Sequence, residues 1–224
     1  MALITSYSEV LCQHSFDVVL MPSVSSTSYT SLSAEENLRY NDRVAFGLGF
    51  NYTYNEELVG FRFGLDVLDS GDRRELDDLR GIDFINSNTR VDFEDGILSD
   101  LRLDGHHRYI SLKIMLNIQQ RVIEKLTWTV SIGPSWEIHK ESYMRSRYGL
   151  DMVRYEFKWT DQVYATESNT LSARAESDLR YALSDRSSVI LGIHYRQSIQ
   201  AIESQISDLN LTNKGLIAGY SLTF

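Results

Sequence analysis

Glu176, His194 and Ser198 are the three residues of this 224-residue sequence that come nearest to a reactive set. A carboxylate, an imidazole and a hydroxyl are the parts of a nucleophile activated by a base that a third group orients. The other chemistry-bearing residues suggest less. Cys12 is the single cysteine, so neither an intrachain disulfide nor a Cys-based metal site is available. His106 and His107 are adjacent, and on a strand their rings would point to opposite faces, which makes a poor metal pair. Asp92-Phe-Glu-Asp-Gly96 offers oxygen ligands to a hard cation, but its glycine falls one place too early for an EF-hand loop. The expectation is no metal and no cofactor, with the acidic stretch from Asp69 to His107 solvated and bridging cations.

The segments that must position Glu176 and His194 are two runs of period two. From Thr170 to Leu183, Leu171, Ala173, Ala175, Leu179, Tyr181 and Leu183 alternate with Ser172, Arg174, Glu176, Asp178 and Arg180. After Ser184-Asp185-Arg186-Ser187, the residues Val189, Leu191, Ile193 and Tyr195 alternate with Ser188, Gly192, His194 and Arg196. Pairing the runs about that turn places Arg180 opposite Ile190, Asp178 opposite Gly192, Glu176 opposite His194 and Arg174 opposite Arg196. A slip of two residues would keep the same faces. Ser198 shares the face of His194, while Glu203 falls on the opposite parity.

The same alternation recurs, giving eight strands in all. The first, Ser15 to Val24, sets Phe16, Val18 and Leu20 against Ser15, Asp17 and Ser23, and is blurred by Val19 and Met21. The second spans Arg43 to Tyr54, with Val44, Phe46, Leu48, Phe50, Tyr52 and Tyr54 on one face. The third, Leu58 to Leu68, opposes Phe61, Phe63, Leu65 and Val67 to Gly60, Arg62, Gly64 and Asp66. The fourth alternates Ile110, Leu112, Ile114, Leu116 and Ile118 with a face that includes Lys113. The fifth alternates Leu126, Trp128, Val130, Ile132, Trp136 and Ile138 with Thr, Ser, Gly and Glu137; Pro134, on its apolar side, predicts a bulge or local distortion. The last run, Lys214 to Phe224, carries Leu216, Ala218, Tyr220, Leu222 and Phe224 on one face. Residues 139–169 form a long insertion in which 152–159 alternates again, read as a hairpin or strand extension above the barrel, with a ten-stranded count as the alternative.

Connections are long after strands one, three, five and seven and short after two, four and six, the asymmetry of barrels whose short turns face the periplasm. No run of about 20 apolar residues exists, which excludes a helical span. A mean hydropathy of −0.26 does not exclude strands, because two faces in different media cancel. The competing architecture is a soluble barrel with its apolar face inward. Against it, the polar face carries Gly47, Gly49, Gly60, Gly64, Gly133 and Gly192, suited to a crowded lumen. Aromatics also sit toward the ends of the apolar face, Tyr52 and Tyr54 at the first short turn, Trp128 at the second and Trp136 toward the long loops, as membrane-interface girdles do. The fold class is therefore all-β, an eight-stranded antiparallel up-and-down transmembrane β-barrel with short periplasmic turns and long extracellular loops.

The alternating C-terminal run with its terminal aromatic resembles the closing strand of bacterial outer-membrane β-barrels, and the whole pattern resembles the small OmpA/OmpX-type barrels. That resemblance implies that Leu216, Tyr220, Leu222 and Phe224 form the signal read by the barrel assembly machinery. It implies an outer-membrane location in a Gram-negative envelope, in contact with outer-membrane lipids and lipopolysaccharide, with the signal peptide removed. Residues 14–224 form the barrel, and 1–13 a segment ahead of it, disordered or not native to it.

With the apolar face in lipid, Arg62, Asp66, Lys113, Arg174, Glu176, Asp178, Arg180, His194 and Arg196 point inward and must pair or stay hydrated. The expectation is a salt-bridged plug. Lipid A deacylases among small outer-membrane barrels carry a tighter His-x-Ser arrangement that faces lipid, so a lumenal His194 matches them poorly. The net charge of −9 and pI near 5.0 argue against nucleic acid. The candidate contact for another envelope protein or a glycan is the aromatic and basic stretch with Tyr143, Tyr148, Tyr155, Phe157 and Trp159. The function expected is a structural or surface-interaction protein that is not an enzyme, with an outer-membrane lipid-modifying enzyme and a narrow channel as alternatives.

Overall fold

The computed structural model describes residues 13–29, 38–76, 85–86, 89–90, 98–150, 153–159, 169–199 and 209–224. Eight long strands follow the alternation of the sequence: β1 (Gln13–Tyr29), β2 (Arg43–Glu56), β3 (Val59–Ser70), β4 (Leu98–Ile123), β5 (Leu126–Leu150), β6 (Thr170–Ser184), β7 (Ser187–Ser198) and β8 (Leu209–Thr223). Each pairs antiparallel with its chain neighbours, and β8 pairs with β1 from Ser15↔Thr223 to Tyr29↔Leu209, so the sheet closes. Closure removes both edges, the condition for spanning hydrocarbon with strands. The count is eight; the ten-stranded alternative is set aside, because Val153–Trp159 folds back onto the end of β5 instead of entering the ring.

Two-residue turns join β2 to β3, β4 to β5 and β6 to β7. At the first, Glu57 takes a positive φ of 57°, the left-handed conformation that tight hairpin connections need. The long connections all lie at the other end.

The faces are those of a membrane barrel. Leu191, Ile132 and Leu20 are 62, 62 and 60 % exposed on the outer wall, whereas Arg62, Arg174 and Lys113 are 1–2 % exposed in the lumen. Val19 and Met21, which blurred the pattern of β1, turn inward with Leu68, Ile190 and Ile217 as a small apolar cluster on one side of the lumen. They are ordinary inward positions filled by apolar residues.

The expected distortion at Pro134 is not a bulge. The β4–β5 ladder is interrupted there but resumes in the same register, Lys113↔Ser135 before and Leu116↔Ile132 after, while Ala173↔Pro134 holds on the β6 side. A missing N–H costs ladder bonds on one side only, so the strand needs no extra residue. The register instead shifts higher up, between Arg108↔Glu141 and Tyr109↔His139, where Lys140 is the extra residue.

β4 and β5 run 26 and 25 residues, against about ten for a tilted bilayer crossing. Their upper halves continue outside as a five-stranded sheet. Its order is Leu38–Asn41, Arg73–Leu76, upper β4, upper β5 and Val153–Trp159.

Candidate functional site

Alternation delivers every second residue of β3, β4, β6 and β7 to the axis, and an eight-stranded ring leaves room there only for side chains. Toward the short turns an uncharged cluster forms: Ser131 Oγ donates to Asn117 Oδ1 (2.7 Å), and Asn117 Nδ2 donates to Asn55 Oδ1 (2.6 Å). Beside it a continuous chain of ion pairs crosses the lumen. Arg180 meets Asp17 (2.8 Å) and Asp178 (2.9 Å), and Arg62 meets Asp178 (3.0 Å) and Glu176 (2.7 Å). Glu176 also takes Lys113 (2.7 Å) and Arg174 Nε (2.8 Å), while Asp66 takes Lys113 (3.3 Å) and a very short bond from Arg174. Four cations face four carboxylates, so the chain is electrically neutral. Nearer the outside, Arg196 bonds Glu137 (2.5 Å) and Ser70 Oγ (2.5 Å), with its guanidinium over the Tyr109 ring at 5.9 Å.

Cross-strand partners in this region are Arg180↔Ile190, Asp178↔Gly192, Glu176↔His194 and Arg174↔Arg196. The like charges Arg174 and Arg196, directly opposite, diverge: Arg174 turns to Asp66 and Arg196 to Glu137. Glu176 is held by three cations, and neither ring nitrogen of His194 has a hydrogen-bond partner among the described residues. Ser198 Oγ accepts from the Leu211 amide at 2.9 Å. The three residues with which a reactive set could have been built are thus each engaged elsewhere or alone.

The lumen is packed as well as paired. A Cβ on Gly49 would lie 2.3 Å from Asp66 Oδ1 and 2.9 Å from Val19 Cγ2. Met21 Sδ accepts from Arg174 Nη2 at 3.0 Å, so the apolar cluster and the charge network touch.

Along the outer wall, Trp128 donates to Ser177 Oγ at 2.9 Å near the short-turn end, and Tyr52 bonds His14 Nδ1 at 2.6 Å, with the Tyr54 ring 5.3 Å from that imidazole. Trp136 faces outward beside Leu112 and Leu171 toward the other end. Leu216, Tyr220 and Leu222 face outward on β8, and Phe224, just past its end, is exposed as well. Above the apolar band, the buried Arg43 grips Asp69 (2.6 Å) and His106 (2.5 Å), and on the exposed face Arg108 pairs with Glu141 (3.1 Å).

Of the residues expected to meet a partner, Tyr143 is not free to do so. It is 7 % exposed and stacks on His106 at 4.3 Å under Arg108, because the register shift at Lys140 sets it directly opposite His106. Tyr148, Tyr155, Phe157 and Trp159 lie on the paired strands above the membrane, and their side chains are outside the described residues. Residues 92–96 are also outside them. No cluster of three or more metal-ligating side chains exists among the described residues.

Two lumen acids were missed at the sequence level, Asp17 and Glu137. Both sit on the polar parity of their strands, so the signal was present. What parity could not show is the set His107, His139 and Ser142, which depends on the register shift.

The closed ladder, the apolar outer wall and the neutral charged lumen decide the architecture. The chain is a transmembrane β-barrel. No family model matches the chain, and no curated protein matches it. Solved structures similar in outline include a major outer membrane protein from Thermus thermophilus (14 % identity, 94 % of this chain and 99 % of that one, TM-score 0.44). Ail, the attachment invasion locus protein of Yersinia pestis, aligns at 12 % identity over 94 % of this chain and 98 % of that one, TM-score 0.39. Neisserial surface protein A aligns at 11 % identity over 93 % and 97 %, TM-score 0.39. Likeness at these scores adds nothing to the chain's own ladder, on which the architecture rests.

Proposed function

We propose that this barrel is an integral outer-membrane protein of a Gram-negative envelope that works as a sealed anchor for its extracellular sheet. In this reading it is a structural or surface-interaction protein, in contact with outer-membrane lipids and lipopolysaccharide. Another envelope protein or a glycan meets the sheet. The observation that carries the reading is the neutral chain of ion pairs from Asp17 to Asp66, packed against Met21. A passage for solutes needs water-filled width, and here buried, paired charges cross the lumen.

The sheet supports the interaction half of the reading. Strands of 26 and 25 residues exceed what the bilayer requires, and the surplus builds a paired surface outside it. Its edges, Leu38–Asn41 and Val153–Trp159, have a ladder neighbour on one side only among the described residues. Such edges suit strand addition by another chain.

The test has two arms. The refolded protein in planar bilayers is expected to be silent, and stable conductance steps would replace the anchor by a channel. Surface-displayed protein is then compared with a form in which residues 143–159 are replaced by a short turn, both checked for heat-modifiable migration. Loss of binding to outer-membrane protein or lipopolysaccharide in the shortened form is expected. Equal binding by both would refute a role for the sheet.

A further inference from the structure

At the outer mouth of the barrel, Ser142 Oγ lies 2.7 Å from His139 Nε2 and 2.8 Å from His107 Nδ1. One hydroxyl between two imidazoles is not what a regular strand would supply. Residues three apart on a strand point to opposite faces, so His139 and Ser142 should diverge. The extra residue, Lys140, changes this. Below it His139 pairs with Tyr109, and above it Ser142 pairs with His107; Tyr109 and His107 share the inner face of β4. The bulge therefore turns both His139 and Ser142 to the same side, the re-aiming that bulges beside reactive sites perform.

We infer that Ser142 is an activated nucleophile, with His139 as its general base. A hydroxyl carries one proton, so it donates to one imidazole and accepts from the other. His107 is buried and His139 half-buried. The base must exchange its proton with leaving group and water, which assigns acceptance to His139 and donation through Nδ1–H to His107. The Tyr109 ring meets His139 edge-on, with centroids 5.6 Å apart and planes at 68°, and holds it in place from below; Tyr109 itself is fixed over Arg196. The Ser–base distance is within the range required for such a pair.

A Ser–His pair transfers acyl groups, which makes the substrate class a carboxylic ester; it reaches the mouth from outside, since the Arg196–Glu137 pair lies across the lumen beneath. Ser142 Oγ attacks the carbonyl carbon as its proton passes to His139 Nε2. The C–O bond to the alcohol breaks, and the departing alkoxide takes that proton. Water then attacks the acyl-serine, gives a proton to His139, and the Ser142 oxygen leaves and recovers it. Ester and water become acid and alcohol, and the protein returns unchanged.

A fluorophosphonate probe reads this directly on the whole refolded protein, with labelled residues mapped by mass spectrometry. Expected is labelling of Ser142 at least tenfold faster than of the exposed Ser184. His139→Gln should slow it at least tenfold while heat-modifiable migration is kept, and turnover of p-nitrophenyl butyrate should vanish in Ser142→Ala. Labelling of Ser142 no faster than of Ser184 in the wild-type protein overturns the inference without any variant. So does an unchanged rate in His139→Gln.

Discussion

Glu176→Gln is the sharpest perturbation of the lumen, because Glu176 accepts from Arg62 and Lys113 and is also ion-paired with Arg174. The substitution keeps shape and volume but leaves four cations facing three carboxylates. It also presents an amide N–H₂ where a cation previously met an oxygen. Removing one partner from a buried ion pair costs about 3–5 kcal/mol, much of it from the charge left uncompensated. With a urea slope of about 1–3 kcal/mol/M, the unfolding midpoint should fall by about 2 M. The assay is equilibrium urea unfolding in lipid vesicles, followed by tryptophan fluorescence. A second variant makes the reasoning specific: Glu176→Gln combined with Lys113→Met restores neutrality, three cations to three acids. It should recover more than about 1 kcal/mol of the loss, a coupling within the range seen for residues in one network. If Glu176→Gln costs less than about 1 kcal/mol, the value expected of a solvated pair, the lumen is wet and the sealed reading fails. A double variant as unstable as the sum of the singles would refute charge balance as the cause.

Three further outcomes follow from the same geometry. Leu191→Arg, on the outer wall between Leu179 and Ala218, should destabilise the barrel in vesicles by about 2–4 kcal/mol. An exposed position in water would tolerate it within about 0.5 kcal/mol, so a neutral result would count against lipid on that face. Gly133→Ala should cost about 1–3 kcal/mol, since its Cβ would lie 2.2 Å from the Ile114 carbonyl oxygen and 2.8 Å from Met115 Cα, both backbone. Gly64→Ala should destabilise as well, because its Cβ would lie 2.3 Å from Lys113 Cε, on a side chain held by Glu176 and Asp66; an unchanged midpoint in either variant would contradict the packing argument. In the extracellular sheet, burial raises the pKa of Asp104, but hydrogen bonds from Arg73 and Arg102 outweigh it and hold the carboxyl below its usual range. A depressed carboxylate stabilises above its unfolded value of about 3.9 and loses that contribution as pH falls through the folded value. Pepsin cleavage within Arg73–Leu76 should therefore be suppressed above about pH 4 and rise as the pH falls below it, and equal cleavage on both sides of about pH 4 would refute this.

Much of this protein is written in its period-two alternation. Once Leu191 and Phe61 alternate with His194 and Arg62, only one assignment of faces is compatible with a bilayer, and short turns of two residues fix which strands pair. The pairing of β6 with β7 places Glu176 opposite His194 as the alternation suggested, although the two-residue turn alone would not give it: Leu183 is extra between Ser184↔Ser187 and Ala182↔Ser188. Sequence could not say which carboxylate an inward cation would choose. Arg62 reaches across the ring from β3 to Glu176 and Asp178 on β6, and Arg180 reaches Asp17 on β1; these choices depend on ring diameter and strand stagger. Parity likewise cannot foresee a change of parity. Lys140 carries no mark in the sequence, yet it sets Tyr143 against His106 and brings Ser142 between two imidazoles. Alternation is a local property that each strand carries alone, whereas these contacts arise between strands far apart in the chain and exist only once the ring has closed.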